Sequence, residues 1–187
     1  MTTLTADLFV SIDGWAGSER SPGYFGYVGP DLETWIRAES DKPQHVLMGR
    51  RTYEILASLP EEHRDEDYHR TTALPITVFS RTLTSVAWPK TSVEGRDLVG
   101  RVHELKATSP TPLRTIGSLS VVRQLLAAGV VDHLRLMLFP LLVGTEGRES
   151  AFVDLLPADL ALVDQRVLDG RIVLLDYAPT GHPIPRV

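Results

Sequence analysis

The stretch HVLMGRRT (His45 to Thr52) decides the fold, because an apolar run ends in glycine and passes at once into a helical pattern. The stretch LRTIGSLS (Leu113 to Ser120) repeats this arrangement, and ITVFSR (Ile76 to Arg81) has the same apolar run followed by a polar turn. Strands that alternate with helices predict a parallel sheet in which such turns meet at one edge. The sequence therefore predicts two helix N-termini and several arginines at that edge.

Strand and helix patterns alternate as far as Ala128, and strand patterns follow it. Helical spacing predicts helices over residues 31–40, 52–59, 97–108 and 119–128. Apolar runs predict strands over residues 3–12, 46–48, 76–79, within 86–93, 113–116 and 132–139. Asp169-Gly170 between two apolar runs predicts a hairpin over residues 160–177. We therefore predict one α/β domain over residues 1–178, three-layered, with a central mainly parallel mixed sheet and a C-terminal antiparallel hairpin, and a tail at 179–187.

The composition excludes several classes of protein. The 187 residues carry a net charge of −5, and no basic run offers the cationic face that nucleic-acid binding needs. The absence of cysteine excludes disulfides, thiolate catalysis and cysteine-ligated zinc, and the scattered histidines predict no metal site. The N-terminus lacks a signal-peptide pattern and no apolar run is long enough to span a membrane, so a cytoplasmic protein is predicted.

The first strand-to-helix turn carries groups that bind phosphate. Gly49 permits the close approach of a ligand to the backbone, and Thr52 lies at the helix start. Arg50 and Arg51 can donate forked hydrogen bonds to a phosphate monoester. A tight turn with solvated arginines is the alternative interpretation of this motif alone.

The other two turns extend this pattern. Ser80-Arg81 places a hydroxyl beside a guanidinium, which suits a ribose 2′-phosphate, and Gly117-Ser118 opens another helix. Taken together, the three turns favour a phosphorylated dinucleotide such as NADPH. The G-x-G-x-x-G fingerprint, the P-loop and the G-x-S-x-G elbow are all missing from the sequence.

Three other segments bear on a ligand site. The run Ser11 to Gly14 is either an Asp-Gly turn or a loop over the reactive end of a cofactor. The charged run Glu61 to Arg70 is typical of a solvated loop or a helix end. We expect it, together with the aromatic-rich loop of residues 18–30, to select the substrate.

The ordered set SIDGWAG, HVLMGRRTYE, VFSRTL and IGSLSVVRQLLAAGVVDHLRLMLFPLLVGTEG resembles the dihydrofolate reductase-like family. It most closely resembles the reductase domain of the riboflavin-biosynthesis deaminase/reductase and its stand-alone relatives, over residues 4–177. The resemblance implies an eight-stranded, mainly parallel sheet flanked by helices, NADPH as cofactor, and reduction of a C=N or C=O group of a small heterocycle. A reaction on 5-amino-6-(5-phosphoribosylamino)uracil, as in riboflavin biosynthesis, is one that it implies.

The resemblance also implies roles for individual residues. Asp31 and Glu33 lie near the folate-binding acid of the family and are the predicted proton donors. The altered segment around them, and Gly117-Ser118 in place of a Gly-Gly turn, distinguish this chain from dihydrofolate reductases. The implied cofactor-binding residues are Ala16 and Gly17 over the nicotinamide, Gly49, Arg50, Arg51 and Thr52 at the phosphates, Ser80 and Arg81 at the 2′-phosphate, and Gly117, Ser118 and Leu119 under the diphosphate.

Other interpretations stay open at this point. The same scaffold suits a non-catalytic nucleotide-binding or regulatory protein, or a flavin- or pterin-binding module. The apolar segment Leu134 to Leu142 is either a strand that pairs across a homodimer, as in relatives, or a buried central strand.

Overall fold

The computed structural model describes residues 1–18 and 23–184 of the chain. Its strands are β1 (Leu4–Ser11), β2 (Trp15–Ser18), β3 (His45–Gly49), β4 (Ile76–Phe79), β5 (Thr91–Glu94), β6 (Leu113–Thr115), β7 (His133–Phe139), β8 (Gly147–Ser150), β9 (Leu160–Leu168) and β10 (Ile172–Pro179). Its α-helices are α1 (Pro30–Ser40), α2 (Arg50–Ala57), α3 (Glu66–Thr72), α4 (Leu98–Thr108) and α5 (Leu119–Ala127). Short 3₁₀ turns cover Gly23–Gly26, Glu61–His63 and Gly144–Glu146.

Eight of the strands form one sheet, in the order β5–β4–β3–β6–β1–β7–β10–β9. The pairs from β5 to β7 are parallel, and β10 is antiparallel to both of its neighbours. The predicted fold class, including the C-terminal hairpin, is therefore confirmed. The carboxyl ends of β3, β4 and β6 lie side by side, and this places the three turns at one edge.

The alternation of β1 divides the domain into two sides. Leu4, Ala6, Leu8 and Val10 point to one face, where they pack in a cluster that includes apolar residues of α4 and α5. Phe9 points to the other face and packs in a cluster with residues of α1, β7 and β10. Because side chains alternate along a strand, Asp7 lies on the same side as Phe9. That side holds one of the two cavities of the functional site.

The segment predicted to pair across a homodimer is an internal strand. β7 is hydrogen-bonded to β1 along one edge and to β10 along the other. The prediction that Leu134 to Leu142 pairs with a second copy is therefore wrong for its strand β7, because a strand has only two edges and both are used within the chain.

Two parts of the fold differ from the sequence-based expectation. β2 and β8 pair with each other as a separate antiparallel ribbon, with Gly17 opposite Arg148. Their sequences, WAGS and GRES, lack the apolar alternation that marks a strand. The charged run Glu61 to Arg70 contains most of α3, which starts where the carboxylate of Asp65 accepts a hydrogen bond from the N–H of Tyr68 at 2.8 Å.

Candidate functional site

Two adjoining cavities open at the edge where the three turns meet. The larger has a volume of about 940 Å³, and its charged lining comprises one carboxylate, Glu149, and five arginines. We name it the arginine cavity after Arg50, Arg51, Arg81, Arg123 and Arg148. The smaller, of about 640 Å³, we name the acidic cavity after Asp7, Glu33, Asp65, Asp67 and Glu149. Both volumes fall within the usual range of ligand pockets.

The first and third turns are tied together directly. The Ser118 hydroxyl accepts a hydrogen bond from the N–H of Gly49 at 2.6 Å and is hydrogen-bonded to the Thr52 hydroxyl at 2.7 Å. A Cβ added at Gly49 would lie 2.8 Å from Ser118 Oγ, and one at Gly117 would lie 3.0 Å from Thr52 Oγ1. Each glycine thus makes room for a side chain of the other turn, so the space at Gly49 that was predicted for a ligand is taken by the Ser118 hydroxyl.

The helices that leave these turns begin without a side-chain cap. α2 follows Gly49, which has no side chain to cap it, and α5 follows Ser118, whose side chain accepts no hydrogen bond from that helix. Ser118 itself is left-handed, with φ at 67°, and its hydroxyl is committed to the other turn. Uncapped N-terminal N–H groups and the helix dipole together favour an anion.

The predicted arginines differ in how they are held. Arg50 donates to Glu54 at 2.9 Å within α2, and Arg51 pairs with Glu149 of β8. Arg81 is exposed and forms no ion pair within the described part of the chain. Exposed pairs of this kind contribute little to stability, so their guanidinium groups can turn to a ligand at low cost.

The second turn is shaped by its own serine. The Ser80 hydroxyl accepts hydrogen bonds from the N–H of Leu83 at 2.9 Å and of Thr82 at 3.2 Å. This local turn holds Arg81 at the mouth of the arginine cavity, where both residues contribute to the lining.

Sequence reasoning missed two arginines of this cavity. Arg123 lies on α5 and donates from Nη2 to the carbonyl of Ser150, while its buried Nε has no hydrogen-bond partner among the described residues. Arg148 lies on β8, which the sequence analysis did not predict. Helical spacing offered a signal for Arg123, since it lies four residues after Leu119 and so shares its helix face.

The ribbon of β2 and β8 covers both cavities. Ala16 lines the acidic cavity and Gly17 lines the arginine cavity. The loop before β2 is anchored by Asp13, whose carboxylate accepts hydrogen bonds from the Ser11 hydroxyl at 2.6 Å and the Gly144 N–H at 2.7 Å. These bonds lower the pKa of Asp13 to about 2. They tie the end of β1 to the segment that leads into β8.

Aromatic side chains wall the acidic cavity. Phe9 packs against Tyr24 with ring centroids 5.2 Å apart and against Trp35 at 6.1 Å. Burial raises the pKa of the Tyr24 hydroxyl. Tyr27 and Tyr68 complete this set of lining rings. Such walls suit a flat ligand.

A buried group of charges lies beside these rings. Asp7 accepts hydrogen bonds from Arg114 Nε at 2.5 Å and from Arg135 Nε at 2.7 Å. Arg135 also donates to Glu39 at 2.8 Å. Trp35 lies against both guanidinium groups, with 5.6 Å and 5.3 Å from its ring centre to the two Cζ atoms. Sequence reasoning missed this group, because its members come from distant parts of the chain.

The two predicted proton donors have different surroundings. Glu33 is exposed and contributes to the lining of the acidic cavity. Asp31 is absent from the described lining of both cavities, and its carboxylate accepts a hydrogen bond from the N–H of Asp169 at 2.8 Å. Asp169 returns this bond by accepting from the N–H of Asp31 at 2.9 Å. Asp31 therefore joins the start of α1 to the β9–β10 turn, and the role of either acid in proton transfer stays a prediction.

The two cavities share part of their wall. The four residues that line both are Thr52, Ser118, Leu119 and Glu149. A ligand in one cavity therefore lies close to a ligand in the other. Such a pair of adjoining sites suits a reaction between a cofactor and a substrate.

The family of this chain follows from the match between its sequence and a family of known domains. Residues 2–174 match the RibD C-terminal domain. The chain belongs to the RibD C-terminal domain family. The resemblance inferred from the ordered motifs is thereby confirmed, and the family supports a reductase of the riboflavin-biosynthesis type. No curated protein matches the sequence.

Solved structures show the same fold at low sequence identity. A protein assigned to riboflavin biosynthesis from Shewanella sp. PV-4 is 18% identical with a TM-score of 0.71, covering 96% of this chain and 99% of that one. A pyrimidine reductase-like protein from Corynebacterium diphtheriae NCTC is 17% identical with a TM-score of 0.67, covering 97% and 93%. RibD from Acinetobacter baumannii is 14% identical with a TM-score of 0.70, and the match covers 96% of this chain but 58% of that longer one.

Two further properties concern the described residues, 1–18 and 23–184. Among them, no helix has the length and apolar character needed to cross a bilayer. They also contain no cluster of three or more histidine, aspartate or glutamate side chains arranged to hold a metal ion.

Proposed function

We propose that this protein is an NADPH-dependent reductase that acts on a C=N or C=O group of a small heterocyclic substrate. The observation that carries the proposal is the arginine cavity, in which five arginines surround the uncapped starts of α2 and α5. Membership of the RibD C-terminal domain family supports reductase chemistry. Cytoplasmic reduction of 5-amino-6-(5-phosphoribosylamino)uracil, as in riboflavin biosynthesis, is the most specific form of this proposal.

The cavity suits a dinucleotide with an additional phosphate. The N-termini of α2 and α5 offer N–H groups to the diphosphate, with Thr52 and Ser118 beside them. Arg81 and the nearby Arg50 would hold the 2′-phosphate that distinguishes NADPH from NADH. Ala16, Gly17 and Leu119 would enclose the nicotinamide end near the shared wall.

The protein's part in the reaction is to bind and orient. The cofactor supplies a hydride, and the chain holds the two ligands in adjoining cavities, excludes water and supplies a proton. The shared wall of Thr52, Ser118, Leu119 and Glu149 would lie between the reacting groups. Glu33 is the proposed proton donor, because it lines the acidic cavity, whereas Asp31 is bonded to the β9–β10 turn.

Calorimetric titration with NADPH and, separately, with NADH tests the proposal. We expect NADPH to bind at least about tenfold more tightly, because one additional charge-assisted contact contributes roughly 1.5–3 kcal/mol. Equal affinities would refute the assignment of the 2′-phosphate. Binding of neither cofactor would refute the proposed function.

We also propose a homodimer, formed through β9 in place of the internal strand β7. β9 is the last strand of the sheet, and three of its apolar side chains are more than half exposed, namely Leu162 at 51%, Val163 at 54% and Val167 at 62%. A long edge strand that exposes apolar side chains is a surface that can pair with a second chain. Sedimentation at micromolar concentration tests this, and a Val163→Lys variant is expected to sediment as a monomer. A monomeric wild-type chain would refute it.

A further inference from the structure

We propose, resting on the proposed function, that Glu149 is a substrate-binding residue that the cofactor makes available. In the free protein, Arg51 holds the Glu149 carboxylate in an ion pair. A phosphate group of the cofactor takes up Arg51, and the released carboxylate then accepts a hydrogen bond from an N–H group of the reacting heterocycle. Occupation of the arginine cavity thereby strengthens binding in the acidic cavity.

The position of Glu149 is the first observation behind this proposal. Of the four described residues that line both cavities it is the charged one, and the others are Thr52, Ser118 and Leu119. Its backbone is left-handed, with φ at 61°. Residues other than glycine adopt this conformation seldom, and they do so preferentially at ligand sites. The carboxylate thus lies at the boundary where the cofactor and the substrate would meet.

The ion pair of Glu149 is of a kind that a ligand can replace. It joins two separate elements, since Arg51 lies in the first turn of α2 and Glu149 lies in β8. The side chains are 77% and 45% exposed, and pairs as exposed as this contribute little to stability. Arg51 also lines the arginine cavity. A diphosphate carries more negative charge than one carboxylate, so it is the stronger competitor for the guanidinium group.

Release from Arg51 would leave Glu149 without a cation. Arg51 is its only ion-pair partner within the described part of the chain. An ionised carboxylate accepts hydrogen bonds and donates none, so it needs N–H or O–H groups as partners. The acidic cavity that it lines has aromatic walls suited to a flat ring, including Phe9 and Tyr24. The N–H groups of a nitrogen heterocycle held there would supply the new partner.

The exchange requires only side chains to turn. The ribbon of β2 and β8 has other attachments, because Arg123 donates to the carbonyl of Ser150 and the N–H of Ala151 donates to the carbonyl of Gly14 at 2.8 Å. These bonds keep the backbone of β8 in place when Arg51 turns to a phosphate. The Glu149 carboxylate therefore stays at the shared wall after its release.

Coupled binding of two ligands tests the proposal. The whole chain is titrated calorimetrically with 5-amino-6-(5-phosphoribosylamino)uracil, first alone and then saturated with 2′-phosphoadenosine 5′-diphosphoribose. The second compound is NADP⁺ without its nicotinamide, so neither turnover nor contact between the two reacting rings can produce the effect. We expect the uracil compound to bind about tenfold more tightly when the arginine cavity is occupied. Equal affinities overturn the proposal.

Two variants separate the steps. Glu149→Gln retains the size of the side chain and removes its charge, so we expect the uracil compound to bind weakly with and without the dinucleotide analogue. Arg51→Gln leaves Glu149 without its partner. We therefore expect tight binding in both states, at the affinity of the occupied wild-type protein. A merely structural ion pair would make the two variants behave alike, and that result overturns the proposal.

Glu54→Gln is the matched control. Glu54 pairs with Arg50 within α2, and its side chain is 46% exposed, against 45% for Glu149. It is absent from the described linings of both cavities. This variant should retain the full coupling between the two ligands. Loss of the coupling here would attribute the effect to net charge and overturn the proposal.

The titration with the dinucleotide analogue alone reports separately on the proposed function, because it concerns the arginine cavity. An analogue that binds without coupling overturns this inference and leaves the proposed function in place. An analogue that does not bind refutes both. A uracil compound that does not bind the occupied protein overturns the inference together with the most specific form of the proposed function.

Discussion

The two cavities of this protein share a wall but have opposite charge. The arginine cavity has five arginines and one carboxylate in its described lining, and the acidic cavity has five carboxylates and one arginine. Glu149 belongs to both. The difference shows how one small domain can place a strongly cationic cavity beside one that is lined mainly by acids and aromatic rings.

The contrast has its origin in which elements supply the lining. Three of the arginines, Arg50, Arg51 and Arg123, come from helices whose N-termini face the same cavity. The acids come from elsewhere, since Asp7 lies on β1 and Glu33 on α1, while Asp65 and Asp67 belong to the 61–70 segment. The charge of each cavity therefore depends on which elements contribute its lining.

The largest expected effect follows from breaking the charge balance at Asp7. Asp7→Asn leaves two buried arginines facing one carboxylate, and we expect a loss of about 3–5 kcal/mol in the free energy of unfolding. Urea denaturation measures this loss. Asp164→Asn, which breaks an exposed pair with Arg166, is the control and should cost less than about 1 kcal/mol. Similar losses in both variants would show that the buried group does not stabilise the fold.

The next effect concerns the arginine cavity. Replacing Arg50 and Arg81 together with Ala removes two charge-assisted contacts to the 2′-phosphate, and we expect roughly 100-fold weaker binding of NADPH. NADH binding should change less than about threefold, because NADH lacks that phosphate. Calorimetric titration of the variant and of the wild-type chain measures the change in affinity for each of the two cofactors. The double variant Arg37→Ala/Arg166→Ala removes the same charge outside the described linings of both cavities, and an equal loss there would point to net charge as the cause.

A smaller effect tests the shared wall. Ser118→Ala removes the partner of the Gly49 N–H and retains a side chain at φ 67°, whereas Ser118→Gly removes the same hydroxyl and relieves the strained backbone. We expect the alanine variant to be less stable than the glycine variant by about 1–2 kcal/mol. Thermal unfolding of the two proteins provides the comparison. A glycine variant that is the less stable of the two would refute the assignment of strain to this residue.

The smallest effect concerns the loop that leads into the covering ribbon. The pKa of Asp13 is lowered from 3.8 to about 2 in the folded protein by the hydrogen bonds that it accepts. A depressed folded-state pKa stabilises the protein above the unfolded value, and this stabilisation disappears as the pH falls from about 4 through 2. The melting temperatures of the wild-type chain and of Asp13→Asn should therefore differ at pH 6 and converge near pH 2. A constant difference would contradict the prediction.

Much of the fold was predictable because its signals are local. The apolar runs at Val46 to Met48 and Ile76 to Phe79 lie within β3 and β4, and helical spacing after Gly117 predicted α5. Asp169-Gly170 marked the hairpin by its turn chemistry. β2 and β8 were missed, since a short ribbon whose strands pair only with each other needs no apolar alternation.

The site was predictable only in part. The turns were visible in the sequence, and nine of the eleven predicted cofactor-binding residues line the arginine cavity, the exceptions being Ala16 and Gly117, which line the acidic one. The buried group was not visible, because Asp7, Arg114 and Arg135 are brought together only by the neighbouring positions of β1, β6 and β7. Long-range sheet order of this kind has no local signal in a single chain.

The packing of each turn's side chain against the glycine of the other turn limits which substitutions this family can accept at these positions. Gly49 admits the hydroxyl of Ser118, and Gly117 admits that of Thr52, so a change at one position alters what is tolerated at another. Substitutions there should be inherited in compatible pairs, such as Ala at 49 together with Gly at 118, since neighbouring changes are not additive. Among descendants of this chain, the two turns should therefore evolve as one unit although 68 positions, 117 minus 49, separate their glycines.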